Sequence, residues 1–360
     1  MNSTIYKSLL RPLLFNMNAE DAHNLIHATM RNLSFAWPLL APNFTYKGDD
    51  LVSDLFGKRL ANPVGLAAGF DKNGSLVDLL GYLGFGFAEV GSVTAQAKEG
   101  NPKPRLFRLE QDNAVINRMG LNGEGAEAVA EKLKSKHFSL PIGLNIAKTN
   151  DESIVGDAAI EDILHSFKRI KDLPISYVAI NGSCPNTKEG ITTEAAHMQK
   201  IFTEINKLNN ANLPILTKLS PDSSAELVAE MVGAASACGL SGFICGNTST
   251  SRENLSTEAT RLQAIGNGGL SGAPLRAKAL QLCRAVQRTK HREQIIIGCG
   301  GVASGQDAYA LISAGASFVQ IYTGLVYQGP DLPLRICTEL AQILKNKGQT
   351  LSEAIGCGHS

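Results

Sequence analysis

Apolar positions in the first forty residues recur at helical spacing. Ile5, Leu9 and Leu13 fall at i, i+4 and i+8, Leu10 and Leu14 widen the stripe, and Lys7 and Arg11 lie off it. This spacing predicts an amphipathic helix. A second helix is expected from Asn18, with Asp21 as an acidic first-turn residue and Ala22, Leu25, Ile26, Met30 and Leu33 as its apolar positions. Phe35, Trp37, Pro38, Leu39 and Leu40 follow. Two readings fit residues 1–40: a helical hairpin packed on the main domain, or a monotopic element lying in a membrane interface with basic residues beside its apolar face. No apolar run of 18 residues exists to span a bilayer. Residues 15–35 are too acidic, and too poor in Arg and Ser, for a transit peptide. Residues 41–60 read as a polar, irregular linker around Pro42.

Beyond the linker, short β-rich runs alternate with helix-like stretches. The runs are Pro63–Ala68, Phe87–Val93, Ile142–Ile146, Tyr177–Asn181, Ile215–Leu219, Phe243–Asn247, Ile295–Cys299 and Phe318–Thr323. Buried strands separated by helices imply right-handed βαβ units and a parallel sheet. Eight such units fit an α/β fold of the (β/α)8 TIM-barrel type over residues 61–360, carrying the N-terminal helical hairpin as an extension. The runs end in Gly69, Lys72, Ser92, Asn145, Asn181, Lys218, Asn247–Thr248, Gly300–Gly301 and Tyr322–Thr323–Gly324. Barrel enzymes build their sites at these ends. Ordinary turn chemistry accounts for a Gly or Asn there, but poorly for Lys72 and Lys218, each closing an apolar strand. Glycines after the seventh and eighth strands, with the Thr323 hydroxyl, suit a phosphate held by backbone N–H groups. That points to a phosphorylated cofactor such as FMN.

Composition narrows the field. Lys plus Arg number 34 against 33 for Asp plus Glu, a net charge of +1, so no basic field invites nucleic acid. The seven cysteines are odd in number, lack CxxC spacing and follow no secretory signal, and so read as reduced thiols. They do not cluster with the histidines, and no metal site is expected.

The segments LAAGFDKNG (66–74), GNPKPRLFRL (100–109), INRMGLN (116–122), NGSCPNT (181–187), TKLSPD (217–222), GGLSG (268–272) and VQIYTG (319–324) resemble those of dihydroorotate dehydrogenases, in order and spacing, over nearly the whole chain. The N-terminal helical pair and PRLFRL with INRMG resemble the quinone-dependent, membrane-associated class. The resemblance implies an FMN oxidoreductase that converts dihydroorotate to orotate in pyrimidine synthesis. It implies FMN contacts from Ala68, Gly69, Lys72, Ser92, Asn145, Asn181, Lys218, Gly272, Gly300, Tyr322 and Thr323. It places substrate against Lys72, Asn117, Arg118, Met119, Gly120, Leu121, Asn181, Asn186, Asn247 and Thr248. His23 and Arg108 match positions at the quinone entrance, although a surface histidine and a salt-bridged arginine are the plainer readings of those residues. Lys218 is expected to neutralise charge gathering at the flavin N1/O2 edge. The resemblance also implies peripheral attachment to the cytoplasmic face of a membrane. The chain starts almost directly at the helical pair, which suggests a bacterial inner membrane.

Three positions and one segment depart from the family's usual pattern. Cys184 stands where the quinone-dependent class has a serine base, as in the soluble fumarate- or NAD-linked classes. A thiol with an ordinary pKa near 8.5 is a better base than an unassisted hydroxyl, so Cys184 is expected to be the general base. Leu121 replaces a usual Phe, Gly246 replaces a frequent Thr, and Lys188–Ile191 replaces PGLR or AGLR. An FMN barrel with a soluble acceptor, and a non-catalytic flavin-binding protein, are the alternatives. The helical extension argues against the first and the set of site asparagines against the second.

Overall fold

The computed structural model describes residues 3–182 and 195–359. Cys184 and Asn186 lie outside the described residues. Eight parallel strands close a barrel in simple sequential order: β1 Val64–Leu66, β2 Phe87–Val93, β3 Ile142–Ile146, β4 Tyr177–Ile180, β5 Ile215–Leu219, β6 Gly242–Cys245, β7 Ile295–Cys299 and β8 Phe318–Ile321. Helices Ala126–Lys134, Asp157–Ile170, Ala195–Leu208, Ala225–Ala237, Arg276–Thr289, Gly305–Ser313 and Leu332–Lys347 surround it. All eight predicted runs thus carry barrel strands, four with the expected bounds and four one to three residues shorter.

Alternation along each strand sends every second side chain inward, and this sorts the interior into levels. At the bottom, Phe87, Tyr177, Leu216 and Phe318 pack into one apolar cluster. Two residues further along the same strands come Glu89, Ala179, Lys218 and Gln320, a polar level inside the barrel. Another step brings Asn181 and Tyr322 to the mouth. Against β3, the pairing of β2 slips between Val90 and Val93, and Ser92 sits in that slip. A bulge of this kind re-aims a side chain at a strand end.

The expected linker is largely structured. Ser53–Leu55 and Lys58–Leu60 form an antiparallel hairpin, and its Leu55 and Leu60 are buried in the bottom cluster with Phe87, Tyr177 and Phe318. Each buried leucine contributes about 1.5–3 kcal/mol, so the hairpin plugs the barrel floor.

At the opposite end, Leu106–Leu109, Ala114–Asn117 and Gly269–Gly272 form a three-stranded antiparallel sheet at the mouth, beyond the eight expected strands. Over it lies the helical extension. Ser3–Ile5, Tyr6–Leu10 (a π-helical turn) and Arg11–Phe15 run on from one another, and Asn18 caps the helix Ala19–Asn32 by accepting from the Glu20 N–H at 2.9 Å. The extension is docked by one face: the Tyr6 hydroxyl donates to Val326 O at 2.7 Å, and Ala22 and Met30 are buried. Ile5, Leu9, Leu13, Met17, Leu25, Leu33, Phe35, Leu39 and Leu40 are exposed on it, and only Val155 among the other described residues is a comparably exposed large hydrophobe. The Ile5–Leu9–Leu13 stripe therefore faces outward. Among the described residues no helix is long and apolar enough to cross a membrane.

Glu20 latches the extension to the mouth. Its carboxylate accepts from Arg105 Nε at 3.1 Å and Nη2 at 2.8 Å, and Arg105 also donates to Glu99 O and Asn101 O. Both side chains are buried. The Arg105 hydrogen bond holds the Glu20 carboxyl below its ordinary value of 4.5. The latch therefore stabilises the fold above that value and weakens as pH falls through it. Glu20→Ala strands a buried guanidinium and should cost about 3–5 kcal/mol. Urea unfolding at pH 7 checks this, and the deficit should shrink at pH 3.5.

Candidate active site

A single cavity of about 870 Å³ runs from the polar level of the barrel to the helical extension. Lys218, Asn181, Asn247 and Thr248 line its inner end, and Tyr6, Leu10, Leu13, Leu14 and Met17 its outer end. That volume is ample for one ligand or for two in line. Of the expected site residues, Ala68, Gly69, Lys72, Ser92, Asn117, Met119, Gly120, Leu121, Asn181, Lys218, Asn247, Thr248, Gly272, Gly300, Tyr322, Thr323, His23 and Arg108 all line it.

Two expected residues do not. Asn145 is fully buried behind Ser92, because it belongs to an inner level of β3. Arg118 turns the other way. Its guanidinium donates to Pro104 O at 3.0 Å and to Ile265 O, and stacks 4.8 Å from the Phe107 ring. Neighbouring residues of the INRMG segment alternate in direction, so Asn117 and Met119 face the cavity while Arg118 braces the mouth sheet.

The inner wall is a directed chain of hydrogen bonds. Asn247 Nδ2 donates to Asn181 Oδ1 at 3.0 Å, and Asn181 Nδ2 donates to Ser92 Oγ at 3.0 Å. Ser92 Oγ donates to Asn145 Oδ1, and Asn145 Nδ2 donates to Glu89 Oε1 at 2.9 Å. Glu89 has no exposed surface and also accepts from Tyr177 Oη at 3.1 Å and Gln320 Nε2 at 2.9 Å. Lys218 Nζ stands 3.6 Å from Glu89 Oε1. The Lys72 ammonium donates to Asn122 Oδ1 at the cavity edge.

The residues present fit a flavin mononucleotide. Gly300 and Gly301 follow β7 with φ of 140° and 73°, conformations that glycine alone adopts freely, and leave bare backbone at the cavity beside Thr323. Gln320 Oε1 is buried without a hydrogen-bond partner and belongs to a cavity-lining side chain. Lys218 supplies a cation at the inner end of the cavity. Gly246 is dictated by its backbone. At φ 133°, a Cβ there would lie 1.6 Å from Cys299 O, so the threonine frequent at this position has no room.

Between the polar wall and the extension lies a ladder of rings. The His23 and His27 rings lie 4.3 Å apart at a tilt, His23 meets Phe70 edge-on at 5.4 Å, His27 tilts against Phe70 at 4.9 Å, and Phe70 meets Tyr322 edge-on at 5.9 Å. Burial, with repulsion from His27, depresses His23 to about 3, so it is neutral at physiological pH. Burial pushes the Tyr322 phenol up to about 12. Arg108 donates to Leu14 O at 2.8 Å and to Met17 O, and its guanidinium stacks on Phe15 at 4.6 Å. It is pinned by carbonyls and a ring, with no carboxylate partner among the described residues.

The chain matches the family model of dihydroorotate dehydrogenase over residues 50–344. It belongs to the dihydroorotate dehydrogenase family. It is 40% identical to the dihydroorotate dehydrogenase (quinone) of Trichormus variabilis, with 98% of each chain covered. For that of a Roseiflexus species the figures are 42% and 97% of each chain. For that of Halobacterium salinarum they are 40%, with 97% of this chain and 98% of the other covered. A crystal structure of DHODH from Eimeria tenella in complex with ferulenol superposes with a TM-score of 0.81 at 33% identity, covering 94% of this chain and 95% of that one. The family is flavin-dependent. Glu89, Tyr177 and Gln320 were not singled out in the sequence; Gln320 lines the cavity, and Glu89 and Tyr177 are hydrogen-bonded behind its inner wall. The available signal was a lone carboxylate inside an otherwise apolar strand, FAEVGSV.

Proposed function

We propose that this chain oxidises dihydroorotate to orotate with FMN and passes the electrons to a quinone, as a step of pyrimidine biosynthesis. The observation that carries this reading is the unbroken cavity between a polar wall of amides and cations and an apolar outer end under the helical extension. FMN held by these residues would supply the hydride acceptor for C6 of the substrate and the electron donor for the quinone. Cys184 removes the C5 proton, which is acidified by the adjacent carbonyl. Lys72 and the carboxamides of Asn117, Asn181, Asn186 and Asn247, with the Thr248 hydroxyl, hold the carboxylate and imide edge of dihydroorotate. Gly69, Gly272, Gly300, Tyr322 and Thr323 hold the cofactor, and Lys218 opposes negative charge at its edge. Asn145 serves through Ser92.

His23 and Arg108 stand at the acceptor's end of the cavity, His23 as a neutral donor or acceptor of one hydrogen bond and Arg108 as a fixed cation. The exposed apolar face of the extension, flanked by Lys7, Arg11 and Arg31, lies on a membrane surface, from which a hydrophobic quinone enters directly.

Ala19 lines the outer cavity. Ala19→Trp should raise KM for a soluble ubiquinone analogue at least tenfold while the rate of flavin reduction by dihydroorotate stays within twofold of wild type. Equal effects on both half-reactions would refute the access route.

A further inference from the structure

Glu89 is the only carboxylate among the described residues with no exposed surface at all, and the reaction chemistry does not use it. Burying a charge is tolerated only where partners satisfy it. Glu89 has them: Asn145 Nδ2 at 2.9 Å and Lys218 Nζ at 3.6 Å on one oxygen, Gln320 Nε2 at 2.9 Å and Tyr177 Oη at 3.1 Å on the other. An ionised carboxylate only accepts hydrogen bonds. Asn145 must therefore turn its amide nitrogen down to Glu89 and its oxygen up to Ser92. The Ser92 hydrogen is then committed to Asn145, leaving its lone pairs for the Asn181 amide nitrogen. Asn181 in turn offers its oxygen to Asn247, and the Asn247 oxygen accepts from the Thr248 N–H at 3.0 Å. One buried anion sets the direction of four successive side chains.

We propose that Glu89 is a positioning residue for the flavin reaction: its carboxylate fixes the polarity of the site's amide wall and offsets the charge that Lys218 presents to the flavin. The second half rests on the reading that Lys218 faces the flavin edge. Lys218 and Glu89 lie on the same inner level of the barrel, on β5 and β2, so the field at the cavity floor is that of a pair rather than of a lone cation. Negative charge arriving on a reduced flavin meets an attraction that Glu89 weakens. Removing the carboxylate's charge while keeping its shape should favour the reduced flavin.

The Glu89→Gln variant is compatible with the cage. Its Oε1 can still accept from Asn145 and Lys218, while its amide nitrogen meets Tyr177 and a Gln320 whose free oxygen becomes an acceptor on rotation. In the purified holoenzyme, the flavin is equilibrated anaerobically with a reference dye. The reduced-to-oxidised ratio at fixed potential should rise about tenfold or more in Glu89→Gln, equivalent to about 30 mV for a two-electron couple. Tyr177→Phe removes a donor that disperses the carboxylate's charge, and should move the ratio the opposite way. Purely structural damage has no reason to produce shifts of opposite sign. An unchanged or lowered ratio in Glu89→Gln overturns the proposal. If Glu89→Gln does not retain flavin, Tyr177→Phe decides, and an unchanged or raised ratio there overturns it. Lys218→Met separates the layers. A lowered ratio there, with none of the other shifts, means that Lys218 faces the flavin and Glu89 does not act on it. No shift in Lys218→Met either means that the underlying placement of Lys218 is wrong, and the proposal falls with it.

Discussion

Replacing Cys184 with alanine should slow flavin reduction by dihydroorotate by about 10²–10⁴-fold, the usual worth of a positioned general base, while FMN stays bound. The C5 proton is too weakly acidic to leave unaided, and in the proposed reaction Cys184 takes it. Cys184 stands three positions beyond Asn181, whose side chain lines the cavity. A thiol titrates near 8.5 when unperturbed, and cations in an active site pull such a group lower. It is therefore a stronger base near neutral pH than a hydroxyl, whose proton must pass to something else. Cys184→Ser should retain part of the rate and move the pH–rate profile for flavin reduction to higher pH. Stopped-flow measurement of the reductive half-reaction reads both. An unchanged rate constant in Cys184→Ala removes the assignment, and an unmoved profile in Cys184→Ser removes the pH argument.

The second large effect is expected at Lys218. Electrostatic groups aimed at developing charge in a water-poor site are worth about 10²–10³-fold in rate each. Lys218 is 6% exposed and brings a cation to the inner end of the cavity. Lys218→Met preserves the packed stem and deletes the charge, so flavin reduction should fall by about that factor. The same change leaves Glu89 as an unbalanced buried anion, which is destabilising. The double variant Lys218→Met/Glu89→Gln should regain stability in urea unfolding without regaining the rate. A double-mutant cycle therefore separates the two roles of the lysine. Recovery of both together would show that Lys218 acts only by supporting the fold.

How much of this was readable from the chain depends on which physical signal each part carries. The barrel strands are continuous β-branched and aromatic runs such as Ile295–Ile297 and Tyr177–Ile180, buried between the barrel interior and the helices, and such runs announce themselves. The floor hairpin does not. Its strands are three residues long, and Lys58 and Arg59 between its buried leucines read as linker. Gly269–Gly272 has no β-forming side chains except Leu270, and its pairing with Ala114–Asn117 is a tertiary fact. Motif residues located the cavity well, but a motif does not say which way each side chain turns. Asn145 and Arg118 show this, one a level too deep and the other on the reverse face of its strand. The outward stripe of Ile5, Leu9 and Leu13 is the same lesson in a helix: periodicity finds an apolar face but not what covers it.

The proposed path carries electrons from dihydroorotate to a quinone, and one anaerobic experiment reads both ends of it. Purified, detergent-solubilised protein is bleached with dihydroorotate and then mixed in separate runs with a ubiquinone analogue, fumarate and NAD, while flavin absorbance is followed. This path requires bleaching by dihydroorotate and prompt return of the yellow colour with the quinone alone. Failure of dihydroorotate to bleach the flavin, or reoxidation by fumarate or NAD with none by the quinone, would contradict it.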